Sequence, residues 1–201
     1  MISLIRLSSL IALIGLSACT SLLESSRSVD GELWRSQSDA LLRLQDWSLS
    51  GRFGIFNETE AWNGDLSWRQ RDQQYQIQLS GPLGQGSALI KGANGYSELQ
   101  LSESEIHIAS DPESLLTRYL GLNIPVSGLR YWVLGIPAPK ARIESMEVND
   151  SQQITRMKQQ GWDIRFKRYQ LVEGQTLPTK IFLERQDLSV RLVVDQWKLE
   201  S

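Results

Sequence analysis

Cysteine and histidine are nearly absent from the 201-residue chain, which contains one residue of each kind, Cys19 and His107. One cysteine cannot form a disulfide within a chain, so burial of apolar surface alone must hold the fold together, even in an oxidising compartment. A single histidine without a second cysteine also provides no metal-binding cluster and no nucleophile pair. We therefore expect no metal, no cofactor and no catalytic residue.

An excess of charge of one sign is absent as well, because the formal net charge at pH 7 is −2. Without a broad basic surface the chain lacks the field that attracts nucleic acid, so we expect no nucleic-acid partner. The sequence contains no P-loop pattern for binding nucleotide phosphates. Its first apolar run, Leu7–Leu16, has about 10 residues and is too short to span a bilayer, which takes about 20.

The N-terminal segment has the order of regions found in a secretory signal: Arg6 supplies a positive charge, the apolar run follows, and small residues come next. The tetrapeptide Leu16–Cys19 resembles a bacterial lipobox. This resemblance implies that a diacylglycerol is attached to Cys19, that the signal is cut just before it, and that the new amino group is acylated. Thr20, rather than aspartate, follows the cysteine, which by resemblance to sorted lipoproteins implies delivery to the outer membrane. The alternative is an ordinary signal peptide that happens to leave a cysteine nearby.

The chain beyond the signal has the length of one domain with a sizeable core. Residues 20–31 are rich in serine and charged side chains, which is typical of a flexible tether. We therefore divide the chain into a cleaved signal peptide (1–18), a lipidated N-terminus with its tether (19–32) and a single domain (33–201).

Alternation of apolar and polar residues dominates the first part of this domain. One face is apolar and the other polar in each of three stretches, Trp47–Ile55, Trp62–Trp68 and Gln74–Ser80. Their short connections predict antiparallel strands. Gly51 and Gly64 lie on the apolar faces, where glycine marks a bend, a bulge or a close approach. We expect a tryptophan in place of Gly64 to fill the interior without unfolding the domain.

Helices are predicted at three places. Leu33–Leu44 has the pattern of an amphipathic helix. Asp111 is an expected N-cap, followed by proline at the first helical position, and Gly121 is an expected end. Ser127 is expected to cap a third helix, which ends at Gly135.

About eleven strands interrupted by short helices predict a mainly β fold with one large curved sheet. The sheet must close or nearly close to bury its apolar face, and two or three short helices are expected to leave an apolar hollow inside. The alternative is a sandwich with a solid core. Gly174 and Pro178 are expected to bound a loop. The further strands are expected at residues 86–91, 96–101, 104–108, 144–149, 153–158, 162–169, 179–185 and 189–197.

Bulky apolar residues on the alternating strands are the candidates for lining this hollow. For any one of them ordinary core is the better explanation, but as a set the seven tryptophans of the chain weakly favour a bulky concave wall. The candidate lining residues are Trp47, Phe53, Ile55, Trp62, Leu66, Trp68, Ile77 and Leu79.

Three stretches together resemble the outer-membrane lipoprotein receptor family LolB: the lipobox at Cys19, the segment Ser80–Gly86 between two strands, and Leu129–Pro137. The strands Trp47–Ile55 and Trp62–Trp68 also match the opening pattern of that family. The resemblance covers essentially the whole mature chain. It implies an incomplete, unclosed antiparallel β-barrel capped by short helices, with an apolar cavity for acyl chains.

The function that this resemblance implies is that of a chaperone, not an enzyme. The family takes triacylated lipoproteins from the soluble periplasmic carrier LolA and inserts them into the inner leaflet of the outer membrane. We therefore expect a lipid-anchored monomer that faces the periplasm, with a LolA-type carrier, acylated lipoprotein clients and outer-membrane lipids as partners. The other interpretations are a structural or assembly lipoprotein that binds a protein partner through a solid β-domain, and a hydrolase that acts on glycan.

The segment Pro82, Leu83 and Gly84 is a tight turn between two strands, because proline presets the turn and glycine tolerates a positive φ. From the residues alone, Leu83 is expected to fold back and plug the mouth of the barrel. The resemblance implies instead that a leucine at this place projects from the loop and passes the client to the membrane.

The remaining polar candidates have simpler interpretations. His107 is expected to point from its strand into solvent. Arg165, Lys167 and Arg168 form a basic cluster that we interpret as a solvated face, with contact to an acidic carrier rim or to lipid headgroups as the alternative.

Overall fold

A computed structural model describes residues 31–82 and 86–200, in which eleven strands form one antiparallel sheet. The strand order across the sheet is β6-β5-β4-β3-β2-β1-β11-β10-β9-β8-β7. The helices are α1 (Gly31–Leu42), α2 (Pro112–Leu120) and α3 (Val126–Trp132). The strands are β1 (Asp46–Phe56), β2 (Ala61–Arg71), β3 (Gln74–Ser80), β4 (Ser87–Ala93), β5 (Tyr96–Ser102), β6 (Glu105–Ala109), β7 (Ile143–Val148), β8 (Ile154–Gln159), β9 (Trp162–Val172), β10 (Gln175–Arg185) and β11 (Leu188–Leu199).

The N-terminal and C-terminal strands pair at the centre of the sheet, and its two edge strands do not pair with each other. The first strand pairs with the last, from Trp47 opposite Leu199 to Phe56 opposite Ser189. The two edge strands, β6 and β7, each have a single neighbouring strand in the sheet. The predicted unclosed antiparallel barrel of about eleven strands is thus confirmed. Helices α2 and α3 follow β6 in the chain and precede β7.

Alternation in the first three strands is also confirmed. In β2, Leu66 and Trp68 are buried whereas Ser67 and Arg69 are exposed. The same pattern places Ile77 inward on β3. Each apolar face therefore turns to one side of the sheet, as period two requires.

The two glycines on these faces mark close approaches of backbone. The register of β1 against β11 shifts between Ser50 and Gly51, and a Cβ at Gly51 would lie 2.0 Å from the carbonyl oxygen of Val193. A Cβ at Gly64 would lie 1.9 Å from the carbonyl oxygen of Ser80. The expectation that a tryptophan at Gly64 fills the interior without harm is therefore wrong, because even an alanine there would push β3 away from β2.

Helix α2 has the ends that its sequence predicts. The Asp111 carboxylate accepts a hydrogen bond from the backbone N–H of Ser114 at 2.8 Å, and Pro112 occupies the first turn. Gly121 ends the helix with φ 66°, a left-handed conformation that suits glycine. Helix α1 begins and ends two residues earlier than predicted, at Gly31 and Leu42.

The predicted cap of α3 is wrong. The N-cap residue is Pro125, which has no side-chain capping bond. Ser127 lies inside the helix, and its backbone N–H donates to the Glu113 carboxylate of α2 at 2.8 Å. A side chain from the neighbouring helix therefore satisfies a donor that local sequence alone would assign to a serine cap.

The predicted loop between Gly174 and Pro178 is also wrong. Strand β10 begins at Gln175 and passes through Pro178, beside which its register against β9 shifts. Proline has no backbone N–H to donate, so the irregularity lets the strand continue past it.

The polar candidates divide between packed and exposed positions. His107 does not point into solvent: its ring stacks on Tyr119 of α2, with 3.6 Å between ring centroids. In the basic cluster, Lys167 and Arg168 are exposed, whereas Arg165 forms an ion pair with Glu184. This agrees with a solvated face, because the Arg165 side chain is one-third exposed and its partner carboxylate is half-exposed.

Short helices fill more of the interior than the sequence suggests. Buried side chains continue from α2 through the connecting segment and α3 to Ile136, and they belong to the same core cluster as the inner face of the sheet. Within the described ranges, no helix is long and apolar enough to cross a membrane. The buried residues of this helical layer are Leu115, Leu116, Leu122, Ile124, Val126, Leu129, Trp132, Val133, Leu134 and Ile136.

Candidate functional site

An entirely apolar cavity of about 50 Å³ lies between the inner face of the sheet and the helical layer. This volume is about a third of the ~150 Å³ of an apolar cavity that stays dry and binds benzene. The strand side of its wall is formed by Phe53, Ile55, Leu66, Trp68, Ile77, Leu79, Ile90, Val190 and Leu192. The helical side is formed by Leu116, Leu122, Ile124, Val126 and Leu129.

Six of the eight residues predicted to line the hollow are in this wall, and Trp47 and Trp62 are not. Trp47 is buried in an aromatic cluster, with its ring centroid 5.3 Å from that of Trp68 and 5.6 Å from that of Trp197. Trp62 is half-buried and packs edge-on against Phe53. Alternation identifies the inner face of a strand, but it does not tell which part of a long strand lies beneath the helices.

The cavity adjoins an open groove at each end of β2. A groove of about 730 Å³ lies beside Gln70 and Tyr75, and it shares Trp68 and Val126 with the cavity. We call this the large groove. A smaller groove of about 210 Å³ lies beside Trp62 and shares Ile55 and Leu122 with the cavity.

Two uncharged side chains at the large groove are hydrogen-bonded to each other. The Tyr75 hydroxyl and the Ser97 hydroxyl are 2.7 Å apart. Burial raises the pKa of Tyr75 above its ordinary value of 10.0, so the phenol stays neutral at physiological pH. Among the described residues no group of three or more metal-binding side chains occurs.

A buried glutamine that the sequence interpretation missed fastens the helical layer to the sheet. Gln159 on β8 is fully buried, and its Oε1 accepts hydrogen bonds from Trp132 Nε1 at 2.7 Å and from the Ala138 N–H at 2.9 Å. Its Nε2 donates to the carbonyls of Ala138 and Ala141 at 3.0 and 2.9 Å. The alternation of buried and exposed residues along β8 could have identified Gln159. It follows buried Met157 by two residues and therefore shares its inward face.

The loop between β3 and β4 is closed at its base by the N–H of Gly81, which donates to the carbonyl of Gly86 at 2.8 Å. Pro82 is exposed. Leu83 and Gly84 lie outside the described residues, as does the predicted lipidation site Cys19. Their roles stay predictions.

In this structure an open antiparallel sheet curves over a layer of short helices, and an apolar cavity lies between the two. This arrangement defines a class of protein: a β-sheet container for apolar groups. Solved structures share this architecture. A LolA-superfamily protein from Nitrosomonas europaea overlays with a TM-score of 0.51 at 10% identity, over 87% of this chain and 95% of that one. A DUF1329-family protein from Desulfovibrio piger overlays with a TM-score of 0.55 at 11% identity, over 84% and 91% of the two chains.

Sequence comparison identifies the family within this class. The family model described as outer membrane lipoprotein LolB matches residues 45–197. The outer-membrane lipoprotein LolB of Nitrosococcus oceani is 41% identical over 191 residues, which cover 94% of this chain and 95% of the relative. The protein of that name from Pseudomonas aeruginosa is 36% identical over 169 residues, which cover 84% and 82%. The chain belongs to the LolB family of outer-membrane lipoproteins, as its motifs predict.

Proposed function

We propose that this protein is the receptor that accepts acylated lipoproteins from a LolA-type periplasmic carrier and inserts them into the inner leaflet of the outer membrane. The observation that carries the proposal is the entirely apolar cavity between the open sheet and the helical layer. Membership of the LolB family supports the same function. The protein acts by binding and release, and it is not an enzyme.

The physical problem that such a receptor solves is exposure of acyl chains to water. Each methylene exposed costs about 0.8 kcal/mol, so a triacylated client does not cross water unaided. A dry cavity removes that cost, and apolar contact without directional bonds lets one receptor accept many clients. Transfer then needs no nucleotide if each successive host binds the chains more favourably.

The N-terminal region supplies the membrane anchor in this proposal. Cleavage after residue 18 leaves Cys19 as the lipidated N-terminus, residues 19–30 act as a tether, and the binding domain begins with α1 at Gly31. Several acyl chains on Cys19 hold the domain to the outer membrane far more firmly than one chain would. The domain works as a monomer that faces the periplasm.

Admission of an acyl chain requires the helical layer to move. A cavity of about 50 Å³ is too small for an acyl chain, since a benzene-binding apolar cavity has about 150 Å³, so in this proposal the structure is the closed receptor. The connecting segment from Gly121 to Pro125 is the flexible part of the layer in this proposal, because α2 packs on β5 and β6 whereas Gln159 fastens the far end of α3.

The central experiment measures transfer of a labelled lipoprotein from the carrier to outer-membrane vesicles. We expect the complete lipidated protein to deliver the client to the vesicles. The chain from residue 20 onward, which keeps all described structure but lacks Cys19, is the comparison that isolates the anchor. Failure of both forms to take the client from the carrier would refute the proposed function.

Leu83→Glu tests the loop between β3 and β4. If Leu83 enters lipid during release, a glutamate there lets the receptor accept lipoproteins from the carrier but leaves them off the membrane. Leu171→Glu is a matched control, because Leu171 is 74% exposed at another hairpin. Full insertion activity of Leu83→Glu would show that this leucine has no part in release.

A structural lipoprotein that binds a protein partner is the second candidate, and the small cavity of the closed form favours it. A fluorescent apolar dye separates the two functions when it is titrated into the unlipidated domain. Saturable binding to the folded protein supports the receptor, and absence of binding supports the structural role. Hydrolysis of cell-wall material by the same preparation would point instead to a glycan hydrolase.

A further inference from the structure

Two side chains, Trp68 and Val126, line both the large groove and the apolar cavity and form the wall between them. Trp68 is fixed, because its Nε1 donates to Gln70 Oε1 at 3.3 Å and the Gln70 amide donates to the carbonyls of Asp72 and Gln74 at 2.8 and 3.1 Å. Val126 is the first residue of α3, whose N-cap makes no side-chain bond. Because the two spaces share only these two lining residues, a displacement of the Val126 side chain would join the groove to the cavity.

The large groove and the cavity differ in chemistry as well as in size. The cavity wall is apolar throughout. The groove of about 730 Å³ adds hydrogen-bond donors to apolar surface, among them Arg130, Lys140 and Tyr75. Arg130 makes a long hydrogen bond of 3.4 Å to Gln73 Oε1, and Lys140 is exposed. A molecule that fills both spaces must have a polar head that accepts hydrogen bonds and an apolar tail.

Carboxylates at the large groove do not oppose such a head. Asp111 and Glu113 line the groove, but Asp111 accepts hydrogen bonds from Ser114 at 2.8 Å and Glu113 accepts one from the Ser127 N–H at 2.8 Å. Both acids are thus engaged in holding the helices, while Arg130 and Lys140 supply the N–H donors that a carbonyl-bearing head needs.

The smaller groove at the other end of the cavity is less suited to a carbonyl-bearing head. Its one charged lining residue is Glu60, a carboxylate that only accepts hydrogen bonds. The Asn57 side-chain oxygen accepts from the N–H groups of Thr59 and Glu60 at 3.0 and 2.6 Å. Its amide NH2 is a neutral donor, in contrast to the cationic donors Arg130 and Lys140 of the large groove. Apolar Ile55, Trp62, Leu120 and Leu122 form the rest of this groove, which suits the end of a hydrocarbon chain.

We infer that the acylated N-terminus of a client binds with one polarity: the ester and amide carbonyls of its glycerylcysteine and its first peptide groups occupy the large groove, and its acyl chains run past Trp68 and Val126 toward Ile55 and Leu122. This inference rests on the proposed function and adds the orientation of the client in the site. Arg130 and Lys140 donate hydrogen bonds to the carbonyls, and the cavity, once widened, encloses the chains.

Two probes test the inference on the unlipidated chain from residue 20 onward, which retains the complete core. One probe is a synthetic triacylated cysteine followed by four serines, and the other is a fluorescent apolar dye without a polar head. Ser127→Phe places a bulky side chain in the large groove from an exposed position on α3. Thr117→Phe is the matched control, because Thr117 is exposed on α2 and does not line the groove.

The expected result is that Ser127→Phe weakens lipopeptide binding about tenfold or more and leaves dye binding unchanged, whereas Thr117→Phe changes neither. Asn94→Phe, on the opposite wall of the groove, repeats the test if Ser127→Phe does not fold. Equal lipopeptide affinity in the wild type and in the folded groove variants overturns the orientation but leaves the receptor function intact. Failure of the wild type to bind either probe refutes the receptor function itself.

Discussion

Single polar residues decide how firmly the helical layer is held. Gln159 has no exposed surface, yet all of its polar atoms are satisfied, by Trp132, Ala138 and Ala141. A buried amide is tolerable only when its hydrogen bonds are made. Gln159 therefore fixes the end of α3 and the segment after it to β8.

Gln159→Leu should lower the free energy of unfolding by about 2–4 kcal/mol. The leucine would leave the Trp132 Nε1–H, the Ala138 N–H and two carbonyls buried without partners, and each such group costs about 1–3 kcal/mol, partly relieved by relaxation. Urea unfolding measures the effect. Gln78→Leu, an exposed glutamine on β3, is the control and should change stability by less than about 0.5 kcal/mol. Similar stabilities of the two variants would mean that the Gln159 network contributes little.

Alternation in the sequence identifies residues of the cavity wall where the face and the position along the strand agree. Phe53 and Leu66 lie on inward faces and also beneath the helices. Trp47 and Trp62 lie on the same inward faces but near strand ends, where an aromatic cluster and an open groove replace the cavity. The distance along a strand at which a helix crosses it is a tertiary property.

Among the elements, α2 is the one most fully specified by its own sequence. Asp111, Pro112 and Gly121 provide a start, a first turn and an end that require no contact from elsewhere. Helix α3 is the opposite case, because a backbone N–H of its first turn, that of Ser127, donates its hydrogen bond to Glu113 of α2. The two helices are therefore coupled through one charged hydrogen bond.

Acid should weaken the cap of α2. Hydrogen bonds from the backbone N–H and hydroxyl of Ser114 hold the pKa of Asp111 below its ordinary value of 3.8. A carboxyl whose pKa is lower in the folded state stabilises the protein above its unfolded-state pKa, and the contribution is lost as the pH falls through the folded-state pKa. The stability of the wild type relative to Asp111→Asn should therefore decrease at acid pH.

Urea unfolding at about pH 6 and about pH 2.5, on either side of the ordinary carboxyl pKa, tests this expectation. Asparagine also caps helices but does not titrate, and the other carboxyls titrate equally in both proteins and cancel in the difference. A difference between the two proteins that does not change with pH would exclude a charged cap at Asp111.

At the scale of the whole molecule, the open sheet permits a change of interior volume that a closed barrel would resist. The edge strands β6 and β7 are not joined to each other, so no ladder of hydrogen bonds must break for the halves of the sheet to separate slightly. Closure of the interior depends instead on apolar contact with the helical layer. The unjoined edge strands and the apolar contact with the helical layer would both let the interior widen when an acyl chain binds.

Ligand binding should stabilise the whole domain. A compound that binds only the folded state raises the free energy of unfolding by about 2.7 kcal/mol at a free concentration of about one hundred times its Kd. Urea midpoints measured at increasing concentrations of the apolar dye should rise accordingly. A midpoint that is independent of dye concentration would exclude binding in the folded interior.

Two valine variants test whether the dye binds in the apolar cavity. Val190→Ile adds one methylene to the cavity wall and should reduce the stabilisation by dye, because it removes space that the ligand needs. Val193→Ile adds the same group to a residue outside that wall and should leave the stabilisation unchanged. Equal effects of both variants would place the dye elsewhere.

Local sequence determined the strand faces, the caps of α2 and the family motifs, because each depends on residues a few positions apart in the chain. Tertiary structure alone decided the passage of β10 through Pro178, the capping of α3 by Glu113, the network of Gln159 and the small size of the closed cavity. These features depend on how closely segments distant in sequence approach one another. Periodicity tells which side of a strand is buried, but only packing decides what covers it and how much space remains.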